Sequence, residues 1–118
     1  MRNIIVVKLL ETPCLLALEK GKLLEGEIRK ALASAKSVSV DFTDYEFLSS
    51  AFLNHAFGQL CIDLDWDVDM FRHKVRIVGL DEDDAGELAL AIDNAQTRRS
   101  LIKRGINPKE YYASLIPA

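Results

Sequence analysis

Two adjacent serines, Ser49 and Ser50, sit where an alternating segment gives way to an amphipathic one. A hydroxyl there can accept a hydrogen bond from the free amides of a first helical turn, so either serine serves as a helix cap. The other residues with chemical potential fall away one by one. Asp63, Asp65, Asp67 and Asp69 alternate as in the opening of a calcium loop. Counted from Asp63, however, the glycine position holds Val68 and the closing bidentate glutamate position holds Lys74, so a solvated acidic loop is the better account. His55 lies six residues before Cys61, roughly 600° around a helix, and the two side chains diverge. No Cys/His spacing suits a structural zinc, His55 reads as a plain exposed histidine, and no metal is expected. Cys14 follows a proline in an apolar segment and Cys61 falls on an apolar stripe; neither has an activating neighbour, so both read as buried free thiols. The six glycines are scattered, which leaves no backbone phosphate cradle and no expected cofactor. Arg98, Arg99, Lys103 and Arg104 read as cations favoured at the end of a helix. With no nucleophile–base pair in view, the chain is expected not to be an enzyme.

The elements that must position the serines are legible from their periods. Across residues 37–64, Val38, Val40 and Phe42 alternate with Ser37, Ser39 and Asp41, the period of a strand with one buried face. Phe52, Leu53, Ala56, Phe57, Leu60, Cys61 and Leu64 then recur at three- and four-residue steps, the apolar stripe of a helix. Between them lies a short turn, residues 43–50. Upstream, residues 3–10 are rich in β-branched side chains and read as a strand. Thr12-Pro13 ends it, and residues 14–19 read as a second strand closing an N-terminal antiparallel hairpin. A continuous helix through residues 14–28 is the alternative there, with Gly21 the expected break. Leu24, Ile28, Ala31, Leu32 and Ala35 give a helix over residues 22–35.

Downstream, residues 65–73 read as a loop or short helix whose Trp66, Val68, Met70 and Phe71 tuck inward. Residues 74–80 read as a strand with Val75 and Ile77 on one face. Asp81–Asp84 then place acids at the start of a helix running roughly to Arg104, with Leu88, Ala91, Ile92 and Ala95 inward. Gly105 stops it, and the tail, with Tyr111, Tyr112, Leu115 and Ile116, is expected to pack back on the domain. The order calls for an α/β fold with a mixed, mostly parallel sheet, the hairpin at its edge, and helices mainly on one face.

At 118 residues this is one domain, and hydrophobic and charged shares of 49% and 28% suit a soluble globular protein. A net charge of −3 argues against a general nucleic-acid binder. No apolar run reaches the ~18 residues that span a bilayer. Residues 4–10, interrupted by Lys8, are too short for a signal-peptide core, and the expected location is the reducing cytoplasm.

The strand–loop–helix unit resembles the STAS family, the fold of anti-sigma factor antagonists and of sulphate-transporter cytoplasmic domains. In that family V-x-L-D-L leads through a loop to D-S-S-G-L; here Val38, Val40, Asp41 and Phe42 precede Phe47, Leu48, Ser49, Ser50 and Leu53. The resemblance is closer still to an uncharacterised STAS-like family with the pattern V-x-D-F…S-x-x-F-L-N-x-x-F-G-x-L. Asp41-Phe42, Ser49, Phe52-Leu53-Asn54, Phe57-Gly58 and Leu60 satisfy it. The resemblance implies a signalling domain that docks a protein partner, a histidine-kinase-type ATPase or a related signalling protein. It also implies a serine phosphorylated at the helix start, where up to about two added negative charges would block docking. Anchored on the Ser-Ser pair, the motif makes Ser50 the phosphoacceptor. Anchored on Leu53, it puts Ala51 at that position and Ser49 at the aspartate.

The docking surface is expected over residues 45–54. Tyr45, Phe47 and Leu48 supply apolar anchors there, and Ser49, Ser50 and Asn54 supply hydrogen-bonding groups, a mixture suited to an interface. The alternative from a different class is a regulatory module on the same fold that binds a small ligand or a nucleotide.

Overall fold

The computed structural model describes residues 2–115. Three strands form a parallel sheet in the order β1 (Arg2–Ile5), β3 (Val38–Asp41), β5 (Val75–Val78). The register places Arg2, Val38 and Val75 in one row and Ile4, Val40 and Ile77 two residues on. Side chains alternate across a strand, so these rows share a face. Val38, Val40 and Val75 there are buried, and Ile4 and Ile77 pack against the core. The opposite face carries Asn3, Ser39 and Arg76, then Ile5, Asp41 and Val78, and none of these is buried.

The central helical segment occupies residues 50–63 in three pieces: α3 (Ser50–Leu53), a π-helical stretch (Asn54–Gly58) and α4 (Gln59–Asp63). The stripe explains the π turn. Its pairs, Phe52-Leu53, Ala56-Phe57 and Leu60-Cys61, repeat every four residues, and four residues overshoot an α-helical turn by about 40°. A π turn takes up about one extra residue and returns the later pairs to the sheet side. All six side chains are buried as a result. Leu64 lies past the last turn and is exposed. Phe57 anchors a run of aromatic contacts, 6.1 Å from Phe42 and 5.9 Å from Phe71 between centroids, and Phe71 lies 6.4 Å from Trp66.

Two flanking helices complete the core: α2 (Leu18–Ser34) and α6 (Glu82–Lys103). Asp81 caps α6 by accepting from the Asp84 amide at 2.8 Å, with acids filling the first turn. Leu88, Ala91, Ile92 and Ala95 face inward as expected. Gly105, at φ 76°, follows its C-terminal end. The last helix, α7 (Pro108–Ser114), buries none of its residues, and Tyr111 and Tyr112 remain partly exposed. Ile116, expected to pack with this tail, lies outside the described residues.

The N-terminal region departs from expectation. The strand ends at Ile5, and α1 (Val6–Leu10) follows, burying Val6 and Leu10 one turn apart. The Lys20 ammonium donates to the Leu10 carbonyl at 3.1 Å and closes that helix end. No antiparallel hairpin forms among the described residues: β2 (Cys14–Leu15) pairs in parallel with β4 (Phe47–Leu48), a strand inside the expected turn. Gly21 is not a break either. Helix α2 runs through it, and Gly21 is buried where a Cβ would stand 2.8 Å from the Phe52 carbonyl oxygen. Cys14, expected to be buried, is exposed, while Cys61 is buried as expected. In the 65–73 segment, Asp67 caps α5 (Val68–Lys74), which turns Phe71 inward and leaves Met70 exposed.

Candidate functional site

The loop from β3 to the central helix is held at three points. Just after β3, the Thr43 amide and hydroxyl donate to Asp41 Oδ1 at 2.9 and 2.6 Å. These bonds, the hydroxyl's foremost, hold the Asp41 carboxyl below the usual carboxylate range. Gly79, at φ 86°, packs against this turn, where a Cβ would meet the Thr43 nitrogen at 2.8 Å. Next, the Tyr45 hydroxyl donates to Asp84 Oδ2 at 2.6 Å and accepts from the Asp81 amide at 3.2 Å. Burial, aided by the Asp84 carboxylate, pushes the phenol up to about 12. At the third point, β4 pairs with β2, and the Ser49 amide donates to the Leu15 carbonyl at 3.1 Å.

The two serines have different jobs. The Ser49 hydroxyl accepts from the Phe52 amide and donates to the Leu16 carbonyl, both at 3.1 Å. Its capacity is spent on capping the helix and tying it to the segment after β2. Ser50, the first residue of α3, is exposed and makes no side-chain hydrogen bond among the described residues. Its hydroxyl is the accessible one.

The remaining expected site residues divide. Phe47 points into solvent, 59% exposed, while its neighbour Leu48 packs against the core. Tyr45 is half-buried and ties the loop to the start of α6. Asn54 lines a crevice of about 30 Å³ between the central helix and Ala91, Asn94 and Ala95 of α6. One stretch of chain therefore feeds two surfaces, with Phe47 and Ser50 outward and Asn54 toward α6.

Sequence reasoning missed Leu16. The β2–β4 register pairs Cys14 with Phe47 and Leu15 with Leu48, which puts Cys14 and Phe47 on one outward side, and Leu16 follows directly on β2. Leu16 is 53% exposed, so two exposed apolar side chains, Leu16 and Phe47, stand on the paired segments that lead to Ser49 and the helix start. The only local signal was a run of leucines, which the hairpin expectation absorbed.

The acidic alternation is taken apart by the fold. Asp63 accepts from Arg29 at 2.9 Å and from Gln59 at 2.8 Å. Asp65 pairs with Arg99 at 2.6 Å and Lys103 at 3.0 Å, and those two cations, Lys103 foremost, hold its carboxyl below the usual range. Asp67 is a helix cap. The cation cluster of α6 is divided by the same contacts: Arg99 and Lys103 are committed to Asp65, whereas Arg98 lies over the Tyr112 ring at 6.0 Å.

A family model described as a STAS-like domain of unknown function (DUF4325) matches residues 20–85, a stretch from early α2 to the start of α6. No curated protein and no solved structure matches the chain.

Proposed function

Because the chain belongs to this STAS-like family, we propose that it is a non-enzymatic interaction and regulatory domain that docks a protein partner beside the start of its central helix. The observation that carries the reading is the exposure of Phe47 and Leu16 on the segments that lead into the helix start, where the Ser50 hydroxyl makes no hydrogen bond among the described residues. Apolar anchors of this kind supply interface energy when covered, and isolated large side chains held on a tied-down loop lose little entropy on binding. Phe47, Leu48, Ser49 and Ser50 remain the centre of the surface, Leu16 joins it, and Tyr45 and Asn54 support it from behind. The partner class suggested by the family resemblance is a histidine-kinase-type ATPase.

Of the two serines, Ser50 is the phosphoacceptor in this reading. Ser49 is occupied as donor and acceptor, whereas a phosphate on Ser50 would sit at the helix start and place negative charge next to Phe47. The test is a calorimetric titration of a kinase-type ATPase partner with wild type, Phe47→Ala, Ser49→Asp and Ser50→Asp. Ser50→Asp should keep the fold and weaken the complex tenfold or more, about 1.4 kcal/mol. Phe47→Ala should weaken it as well. Folded Ser50→Asp and Phe47→Ala proteins that bind like wild type would refute the docking face.

A further inference from the structure

A second feature is built from residues other than those of the docking face and is not accounted for by family membership. Between α4, the C-terminal half of α6 and α7 runs a cleft of about 440 Å³. Its walls are apolar, formed by Ile62, Ile102 and the Tyr112 ring, and its cations are Arg98 and Lys109. No acidic residue lines it, and neither cation forms an ion pair among the described residues. Arg98 stands over the Tyr112 ring, which holds the guanidinium at the wall of the cleft without neutralising it. Gln59 adds a hydrogen-bonding group. Arg98, Ile102, Lys109 and Tyr112 all lie beyond residues 20–85.

We propose that this cleft binds a small amphipathic anion, a carboxylate, sulfonate or phosphate carried on a flat apolar body. The volume falls within the range of ligand clefts, about 300–1,000 Å³. The lining matches the two halves of such a molecule: two uncompensated positive charges for the head and an aliphatic–aromatic slot for the body. An uncharged apolar ligand would leave the cations unused, and a cationic one would be repelled by them.

The probe is 8-anilinonaphthalene-1-sulfonate, with N-phenyl-1-naphthylamine as its counterpart lacking the sulfonate. Fluorescence titration of the wild-type protein should give saturable one-to-one binding of the sulfonate, at least tenfold tighter than the neutral amine. Arg98→Gln with Lys109→Gln should remove that preference while leaving circular dichroism and thermal midpoint unchanged, since both side chains are exposed. Tyr112→Ala should weaken both probes, and amide shifts on sulfonate binding should centre on Gln59 and Ile102. Equal affinity for the two probes, or sulfonate binding that survives the double substitution, would overturn the proposal. So would loss of sulfonate binding in Phe47→Ser, because the probe would then be reporting the docking face.

Discussion

Gly21 and Gly26 stand five residues apart in α2, and alanine at each should move stability in opposite directions. Alanine in place of glycine inside a helix favours folding by about 1 kcal/mol, because the unfolded chain loses freedom it no longer has to surrender. At Gly26 nothing lies within 4 Å of the new Cβ, so the gain should appear nearly whole. At Gly21 the Cβ would stand 2.8 Å from the Phe52 carbonyl oxygen and 3.2 Å from the His55 Cβ. The first of these is backbone and cannot rotate away. Relief requires α2 to move off the central helix, and overpacking of this kind costs about 1–3 kcal/mol. Gly21→Ala should therefore range from neutral to about 2 kcal/mol less stable than wild type. The gap between the two variants isolates the packing cost at about 1–3 kcal/mol. Urea unfolding of both proteins with a common m value measures it. If Gly21→Ala proves as stable as Gly26→Ala, α2 does not approach the central helix as closely as described, and the account of the core fails with it.

Phe57 is fully buried between Phe42 and Phe71, so Phe57→Ala should cost about 3–5 kcal/mol in the same assay, and a loss below about 1 would place the helix stripe wrongly. A thiol reagent should titrate Cys14 promptly in the native protein and Cys61 only on unfolding. Cys61 is enclosed, and burial pushes its thiol up to about 11, so equal reaction rates would contradict the fold. Tyr45 supplies a pH signature. Its folded phenol, at about 12, lies above the ordinary 10, so its contribution is complete below pH 10 and is lost as pH rises toward 12. The stability difference between wild type and Tyr45→Phe should hold constant up to pH 10 and shrink from there to pH 12; a difference that stays flat across that window would show the hydroxyl is not bonded as described.

The legible parts of the fold are those written in local periods and local capping. Val38 and Val40 alternate into a buried face, Phe52 to Cys61 form a stripe, and Asp81 starts a helix whose inward residues lie where their spacing puts them. The family motif is legible for the same reason, being one continuous strand–loop–helix unit. Residues 6–10 were not legible, although residues 3–5 form the expected strand. Their β-branched run favours a strand, yet Val6 and Leu10 are spaced to bury one helical face against α2, and packing overrides the weak local preference. Gly21 carries the same lesson, since a glycine that breaks a helix and one that admits a neighbouring backbone look alike until the neighbour is known.

The candidate site divides along the same line. A serine cap at the Ser49-Ser50 pair follows from its place at the end of a short loop, and the sequence alone was enough to locate that pair. Their separation into an occupied and a free hydroxyl, and the arrival of Leu16 beside Phe47, depend on β2 pairing with a strand some thirty residues away. So does the breakup of the acidic run, in which Asp63 is claimed by Arg29 of α2 and Asp65 by Arg99 and Lys103 of α6. Sequence determined which segments would be strand and helix wherever their own spacing carried the instruction. Tertiary structure alone decided which side chains remain free to act, because a hydrogen bond or ion pair is settled by whichever distant group arrives within reach.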